Sequence, residues 1–246
     1  MGTNRRLPAF LPPDQYDLTD ADRARFIEER QRGMLPPDSP ELSKAVAPLP
    51  VDAIKTPRIQ QVIASLFTAA NGQRRDTLNG KKKRTLVGLA APQIGERYRV
   101  ILVDTRVDES RKEYGNLECL INPEIIWRTR ETIEGREGCF SAGPVWGLVR
   151  RPAAIKVRAY TKDGVQVERI LEGFTARIAC HEIDHLDGIR FPERIKNDRK
   201  RHWVHTEELG DYPDYIKHWP RLCTKERWEA YKIAGNDASL RATPRA

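Results

Sequence analysis

The sequence predicts an α+β fold in which antiparallel and mixed strands pack around one central helix. Three observations predict it. An amphipathic helix with a Thr-Pro start opens the middle of the chain, a series of short β-branched segments follows, and a second strong helix comes only after them. Strands gathered between helices, rather than alternating with them, argue against βαβ units.

Taken in order, residues 1–36 are Pro-rich at their edges and hold one predicted helix, Asp20 to Gln31, ahead of Gly33. They are expected to form an extension. Thr56 can cap the next helix and Pro57 suits its first position, with Ile59, Val62, Ile63, Leu66 and Phe67 on one face and Asn71-Gly72 at the end. From Gly72 to Thr85 the chain is polar and basic, which predicts a loop insertion. Strands are predicted at Tyr98 to Asp104, Leu117 to Ile121, Glu124 to Thr129, Ala154 to Tyr160 and Val165 to Ile170, with Asp163-Gly164 as a hairpin turn between the last two. The last strong helix runs from about Gly173 to Asp187, and Gly188 stops it. Beyond Phe191 the chain is rich in Trp, Tyr, Pro and charge, and only Lys225 to Ala234 reads as helical. The expected organisation is an N-terminal extension (1–36), a catalytic domain (37–193) and a basic, aromatic C-terminal extension (194–246).

At 246 residues the chain suits one domain with extensions, or at most two, at roughly 150 residues per domain. Its 39% hydrophobic residues supply a core, while 32% charged residues and a mean hydropathy of −0.64 mark a hydrated surface. No apolar run approaches the ~18 residues of a membrane span, no signal-peptide core is visible, and Arg6 stands where myristoylation needs Ser or Thr. A cytoplasmic protein without membrane partners is expected. Cys119, Cys139, Cys180 and Cys223 form no CxxC pair and read as core thiols or as metal or catalytic ligands. The net charge of +8 is partly local, at Lys81 to Arg84 and at Arg194, Lys196, Arg199, Lys200 and Arg201. Either patch could meet RNA phosphates, although solvated loop charge is the commoner meaning of such runs.

The sharpest chemical signal is His181-Glu182-Ile183-Asp184-His185 inside the last strong helix. Histidines at i and i+4 share a face and can bind one divalent cation, with Glu182 angled to reach a water. A catalytic metal needs a third protein ligand. Phe191 excludes the zinc-protease spacing that ends in a third His; Glu207, four residues before Asp211, fits another protease spacing; and Cys139 in Glu137-Gly138-Cys139-Phe140-Ser141 would complete a Cys/His/His site. A third segment, Gly88-Leu89-Ala90-Ala91-Pro92-Gln93-Ile94-Gly95, joins small residues to one amide that can donate to a developing oxyanion.

Together and in this order, GLAAPQIG, EGCFS and HEIDHLDG closely resemble the three motifs of peptide deformylases, and the resemblance covers roughly Asp38 to Glu193. It implies that Cys139, His181 and His185 hold the metal and that the strands pack around this metal-binding HExxH helix. Glu182 is implied as general acid and base, and Gln93 with the Phe140 backbone N–H as oxyanion hole. The implied cofactor is one divalent ion per chain, Fe²⁺ first, with Zn²⁺, Ni²⁺ or Co²⁺ able to take its place. The implied substrate is an N-formylmethionyl nascent chain, with Val87, Gly88 and Gly138 offering backbone groups to it. Phe174 and Ile178, seven and three residues before His181, share its helix face and could line an apolar pocket for a methionine side chain, or serve as core. A substrate emerging from ribosomes makes Arg194 to Arg201 a candidate for contact with ribosomal RNA. Three positions depart from the family's usual residues: Leu86 for Gly, expected to narrow the cleft wall, Cys180 for Gln, and Trp146 for Arg. The rival readings are an HExxH metallopeptidase with Glu207 as third ligand and a catalytically altered, deformylase-like binding module.

Overall fold

The structure is a computed structural model, and it describes residues 18–71, 86–108, 116–209, 219 and 221–234. The predicted insertion from Gly72 to Thr85, with Lys81 to Arg84, lies outside the described residues.

Helix α1 (Asp20–Gln31) starts on Thr19, whose hydroxyl accepts from the Asp22 N–H while the Asp22 carboxylate accepts from the Thr19 N–H. Helix α2 (Pro57–Asn71) buries Ile59, Val62, Ile63 and Leu66, the face its spacing predicts. Strands β1 (Gly88–Ala90), β2 (Val100–Asp104), β3 (Leu117–Arg128), β6 (Ala154–Tyr160) and β7 (Gln166–Glu172) form one antiparallel sheet in the order β1-β2-β3-β6-β7. Strands β4 (Thr132–Gly138), β5 (Val145–Pro152) and β8 (Arg201–Trp203) form a second antiparallel sheet in the order β4-β5-β8. Helix α3 (Gly173–Leu186) packs against strands of both sheets, and α4 (Lys225–Ala234) follows near the C-terminus.

Strand β2 explains the layering. Its four aliphatic residues are buried because alternate side chains enter two cores: Val100 and Leu102 meet α2, whereas Ile101 and Val103 meet α3. Each such aliphatic side chain contributes ~1.5–3 kcal/mol when fully buried. A third core, with Val145, Val149, Trp203, Trp228 and Tyr231, joins the second sheet to α4.

The mixed α+β expectation holds, with several differences of detail. The two strands expected at 117–121 and 124–129 are one strand, β3, which carries a register shift between Ile121 and Glu124. Asn122 takes φ +50° there, and its side-chain amide closes a pair of hydrogen bonds with the Leu49 backbone at 2.8 and 2.7 Å. The Asn-Pro pair thus marks a bulge, not an end. Strands β1, β4, β5 and β8 were not anticipated. Strands β1 and β8 have three residues each, and β4 and β5 carry Gly, Arg and Glu in place of an apolar alternation. Helix α3 ends as expected, at Gly188 with φ +71°. No helix among the described residues is long and apolar enough to cross a membrane.

Candidate metal centre

Cys139 stands in extended conformation where β4 ends, and the chain then turns tightly through Phe140–Ala142. That turn brings the thiol against α3, where His181 and His185 lie one helical turn apart. One ligand atom from each of Cys139, His181 and His185 lies within 4.8 Å of the others, and Cys139 Sγ is 3.3 Å from His185 Nε2. A thiolate and two imidazoles on that scale form a donor set that suits a transition-metal dication. Glu207 takes no part. Its carboxylate accepts from the Thr19 hydroxyl at 2.9 Å, in a short turn (Thr206–Leu209) that packs on α1, and Asp211 lies outside the described residues. The peptidase arrangement is therefore not formed.

A buried carboxylate orients the first histidine. Glu137, on β4, faces His181 Nδ1 at 2.9 Å, which leaves Nε2 as the ring nitrogen available to a cation. Arg151 grips the same carboxylate through two bonds of 2.9 Å and reaches Asp184 at 2.6 Å, while Arg177 adds a bond to Glu137 at 2.9 Å. Burial alone would raise the Glu137 pKa, but His181 and Arg151 hold it well below the usual carboxylate range. Burial likewise works against a charged His181, yet the Cys139 thiolate and Glu137 raise its pKa well above the ordinary value; burial and the neighbouring His181 push His185 well below. Glu137, Arg151, Arg177 and Asp184 escaped sequence reasoning. Their one signal is a set of charged residues in segments that are otherwise buried.

Glu182 is almost wholly buried beside the histidines, with Oε2 unpartnered, and burial pushes its pKa up to about 7. Gly88 makes room for it: a Cβ on Gly88 would lie 2.5 Å from Glu182 Oε1 and 2.7 Å from Ile178 Cγ2. Gln93 accepts from the Ala90 N–H at 2.8 Å and turns its amino group toward Ser141 Oγ at 3.1 Å and Cys139 Sγ at 3.4 Å, so its donor end faces the thiol. Phe140 opens the turn after Cys139, where a backbone N–H has no partner within the turn. The Arg190 guanidinium ties this turn to the entry segment through the carbonyls of Ser141 and Pro37 and the Ser43 hydroxyl.

Among the substrate-pocket candidates, Ile178 is buried beside Gly88, and Phe174 and Val87 pack against the same α3 core. The Val87 carbonyl accepts from the Asp104 N–H at 2.7 Å, and Gly138 pairs with Trp146 across the second sheet, its Cα flush against the indole. Leu86 is partly buried against the core that α2 lines. Cys180 is buried on the side of α3 away from the ligands. The basic run at Arg194 to Arg201 is largely spent on internal pairing: Arg201 is buried against backbone carbonyls, Lys200 holds Glu134 and Arg194 holds Asp184.

A sequence profile of the family described as Polypeptide deformylase matches residues 35–201. The chain belongs to the peptide deformylase family. Among curated relatives, the peptide deformylase of Desulforudis audaxviator is 42% identical over 146 residues, spanning 59% of this chain and 83% of that protein. That of Halalkalibacterium halodurans is 39% identical over 161 residues, spanning 64% and 86%. The crystal structure of a Met-Ala-Ser-bound class I type b peptide deformylase from Acinetobacter baumannii superposes with a TM-score of 0.55 at 32% identity, covering 66% of this chain and 96% of that one. The deformylase family is metal-dependent, and the Cys/His/His cluster is the candidate site for the ion.

Proposed function

We infer that this chain is a peptide deformylase, a hydrolase that removes the N-formyl group from nascent polypeptides. The observation that carries the reading is the convergence of Cys139, His181 and His185 within ligand distance of one another, with buried Glu182 beside them. The Met-Ala-Ser bound to the Acinetobacter relative is the deformylated form of such a substrate, which supports a formyl-methionyl peptide as the natural one.

In this reading Cys139, His181 and His185 hold one divalent ion, Fe²⁺ first, as the likeness to the family implies, with Zn²⁺, Ni²⁺ or Co²⁺ as substitutes that the same donor set accepts. Such an ion supplies the Lewis acidity that makes water easy to deprotonate near neutral pH. Glu182 accepts that water's proton as the oxygen attacks the formyl carbon, and a carboxylate pKa near 7 suits both uptake and return. The Gln93 amino group and the Phe140 N–H donate to the oxygen that becomes negative. Glu182 then delivers its proton to the departing amine, and formate leaves. Val87, Gly88 and Gly138 offer backbone to the extended peptide, and Ile178 with Phe174 lines the methionine pocket. Residues 37–193 form the catalytic unit, with 1–36 and 194–246 as extensions, in a cytoplasmic enzyme of N-terminal processing. Contact with ribosomal RNA, if made through the second basic run, rests on Lys196 and Arg199, since its other members are paired or buried.

The test is anaerobic formate release from formyl-Met-Ala-Ser by protein loaded with Fe²⁺ or Ni²⁺, alongside metal analysis of Cys139→Ala and Glu207→Ala. Turnover with metal lost only in Cys139→Ala is expected. Metal lost only in Glu207→Ala would reinstate the peptidase reading, and full metal content without formate release would favour a binding module.

A further inference from the structure

The turn that follows Cys139 is gripped from outside the stretch of chain that defines the family. The family profile matches residues 35–201, which leaves α1 before it and α4 after it. The Acinetobacter structure is covered over 96% of its length by 66% of this chain, so these helices are additions to the deformylase unit. Both nonetheless close on the segment that carries Cys139 and Phe140.

Three contacts make the grip. From α1, the Arg25 guanidinium lies over the Phe140 ring, 5.3 Å from its centroid, and Glu29 fixes it there at 2.7 Å. From α4, the buried Tyr231 phenol rests against Gly143 and fills the space a side chain there would need; Gly143 has φ +62°, which glycine adopts without strain. Also from α4, the Trp228 ring faces the Arg190 guanidinium at 5.0 Å, the group that donates to the Ser141 carbonyl at 3.3 Å. Cys139 and Ala142 share one buried core with Trp228 and Tyr231, and Leu18, just ahead of α1, packs against it. The turn's own backbone bonds run from the Ala142 N–H to the Cys139 carbonyl and from the Gly143 N–H to the Phe140 carbonyl, each at 3.0 Å. A single 3₁₀ turn has poor hydrogen-bond geometry and takes its direction from what packs on it.

We propose that Arg25 and Tyr231 are positioning residues for the reaction, which act through the Phe140–Gly143 turn to aim the Phe140 N–H. The inference rests on the hydrolytic reading, in which that N–H donates to the developing oxyanion. Ring and N–H belong to one residue, so a cation seated on the ring restrains the direction of the donor, and Tyr231 keeps the far end of the turn from sliding away. The two grips act together, because Asp22 of α1 accepts from the Thr206 N–H at 2.8 Å and meets His205 at 2.7 Å, on the chain that leads to α4. The negative oxygen exists in the transition state and not in the bound substrate. Loss of the grip therefore lowers kcat and spares KM.

The test compares Ni²⁺-loaded wild type, Arg25→Met and Tyr231→Leu in formate release from formyl-Met-Ala-Ser, with metal content and amide hydrogen exchange followed in each. Ile27→Ser and Ile233→Ser, at exposed positions of the same two helices, serve as controls. The expected result is kcat lower by at least ~10-fold with KM within ~3-fold, metal retained, and faster exchange at the Ala142 and Gly143 amides, the controls matching the wild type. Arg25→Lys, which restores a cation over Phe140 and beside Glu29, should return kcat to within ~3-fold of the wild type. Arg25→Met/Phe140→Ala should be no slower than Phe140→Ala, since the ring through which Arg25 acts is gone. If Tyr231→Leu does not fold, Tyr231→Phe, which removes only the oxygen that rests on Gly143, replaces it. Wild-type kcat in both single variants, loss of metal in step with kcat, or additive losses in the double variant would overturn the positioning role while the wild type still turns over. A wild type that binds Ni²⁺ and releases no formate would overturn the hydrolytic reading, and the positioning role with it.

Discussion

At the scale of single residues, Glu137 decides how well the candidate ligands are held. It accepts from His181 Nδ1 and at the same time neutralises two buried arginines, so one substitution disturbs both tasks. Glu137→Gln is expected to weaken metal affinity by ~10–100-fold, the usual effect of losing a group that orients a ligand. It should also cost ~3–5 kcal/mol of stability, because buried Arg177 loses its carboxylate counterpart and Arg151 keeps only Asp184. Metal titration and thermal melting read the two effects, and unchanged values in both would show that Glu137 supports neither. The two candidate histidine ligands and Glu182 are legible in sequence because i and i+4 on a helix fix their spacing, whereas Cys139 emerges only from the likeness of three motifs to a family, since a lone thiol in a loop carries no signal of its own. Glu137 and Arg151 are not, since their partnership crosses two strands and a helix that only the fold brings together.

At the scale of elements, the fit of β1 against α3 aims the machinery. Gly88 pairs with Val103 and lies flush against Glu182 and Ile178, so Gly88→Ala must push one of them aside. Displacement of a catalytic group by ~1 Å costs ~10²-fold, and kcat for Gly88→Ala should fall by about that factor with metal content retained. Wild-type kcat would show that the backbone can yield there. Edge strand β4 is closed on its outer side by Arg177 of α3, which donates to the Ile133 carbonyl at 2.8 Å and the Gly135 carbonyl at 3.3 Å. Neither β4 nor β5 was visible in the sequence, because strands stabilised by buried arginines and glycines lack the apolar alternation that marks a strand. By contrast, α2 and the β6–β7 hairpin carry their full signal locally, in a Thr-Pro start and an Asp-Gly turn.

At the scale of the whole molecule, the chain is clasped across its length. Asp22 on α1 accepts from the Thr206 N–H at 2.8 Å and its hydroxyl at 2.7 Å, and meets His205 Nδ1 at 2.7 Å. Burial disfavours charge on Asp22, but these bonds from Thr206 and His205 hold its pKa below the ordinary 3.8. Its stabilisation is therefore complete above that pH and is lost as pH falls through the lower, folded value. Glu29 on the same helix behaves oppositely. Burial pushes its pKa from 4.5 up to about 7 against the pull of Arg25, so stability should decline as pH rises from 4.5 to about 7. Glu29→Gln should remove that decline, worth ~1–3 kcal/mol, while leaving the acid limb intact, and denaturant titrations at stepped pH measure both. A decline that persists in Glu29→Gln would assign it to another group. This clasp joins residues 183 and more apart in sequence, which no local pattern announces.

In the proposed mechanism Glu182 carries protons beside a metal held by Cys139, His181 and His185. Anaerobic turnover of formyl-Met-Ala-Ser by the Ni²⁺ forms of the wild type and Glu182→Gln, with metal counted in both, tests it most directly. Equal metal content with kcat reduced by ~10²-fold or more is the expected result, the size of effect that follows removal of a general base. A metal-loaded Glu182→Gln that turns over near the wild-type rate would contradict it.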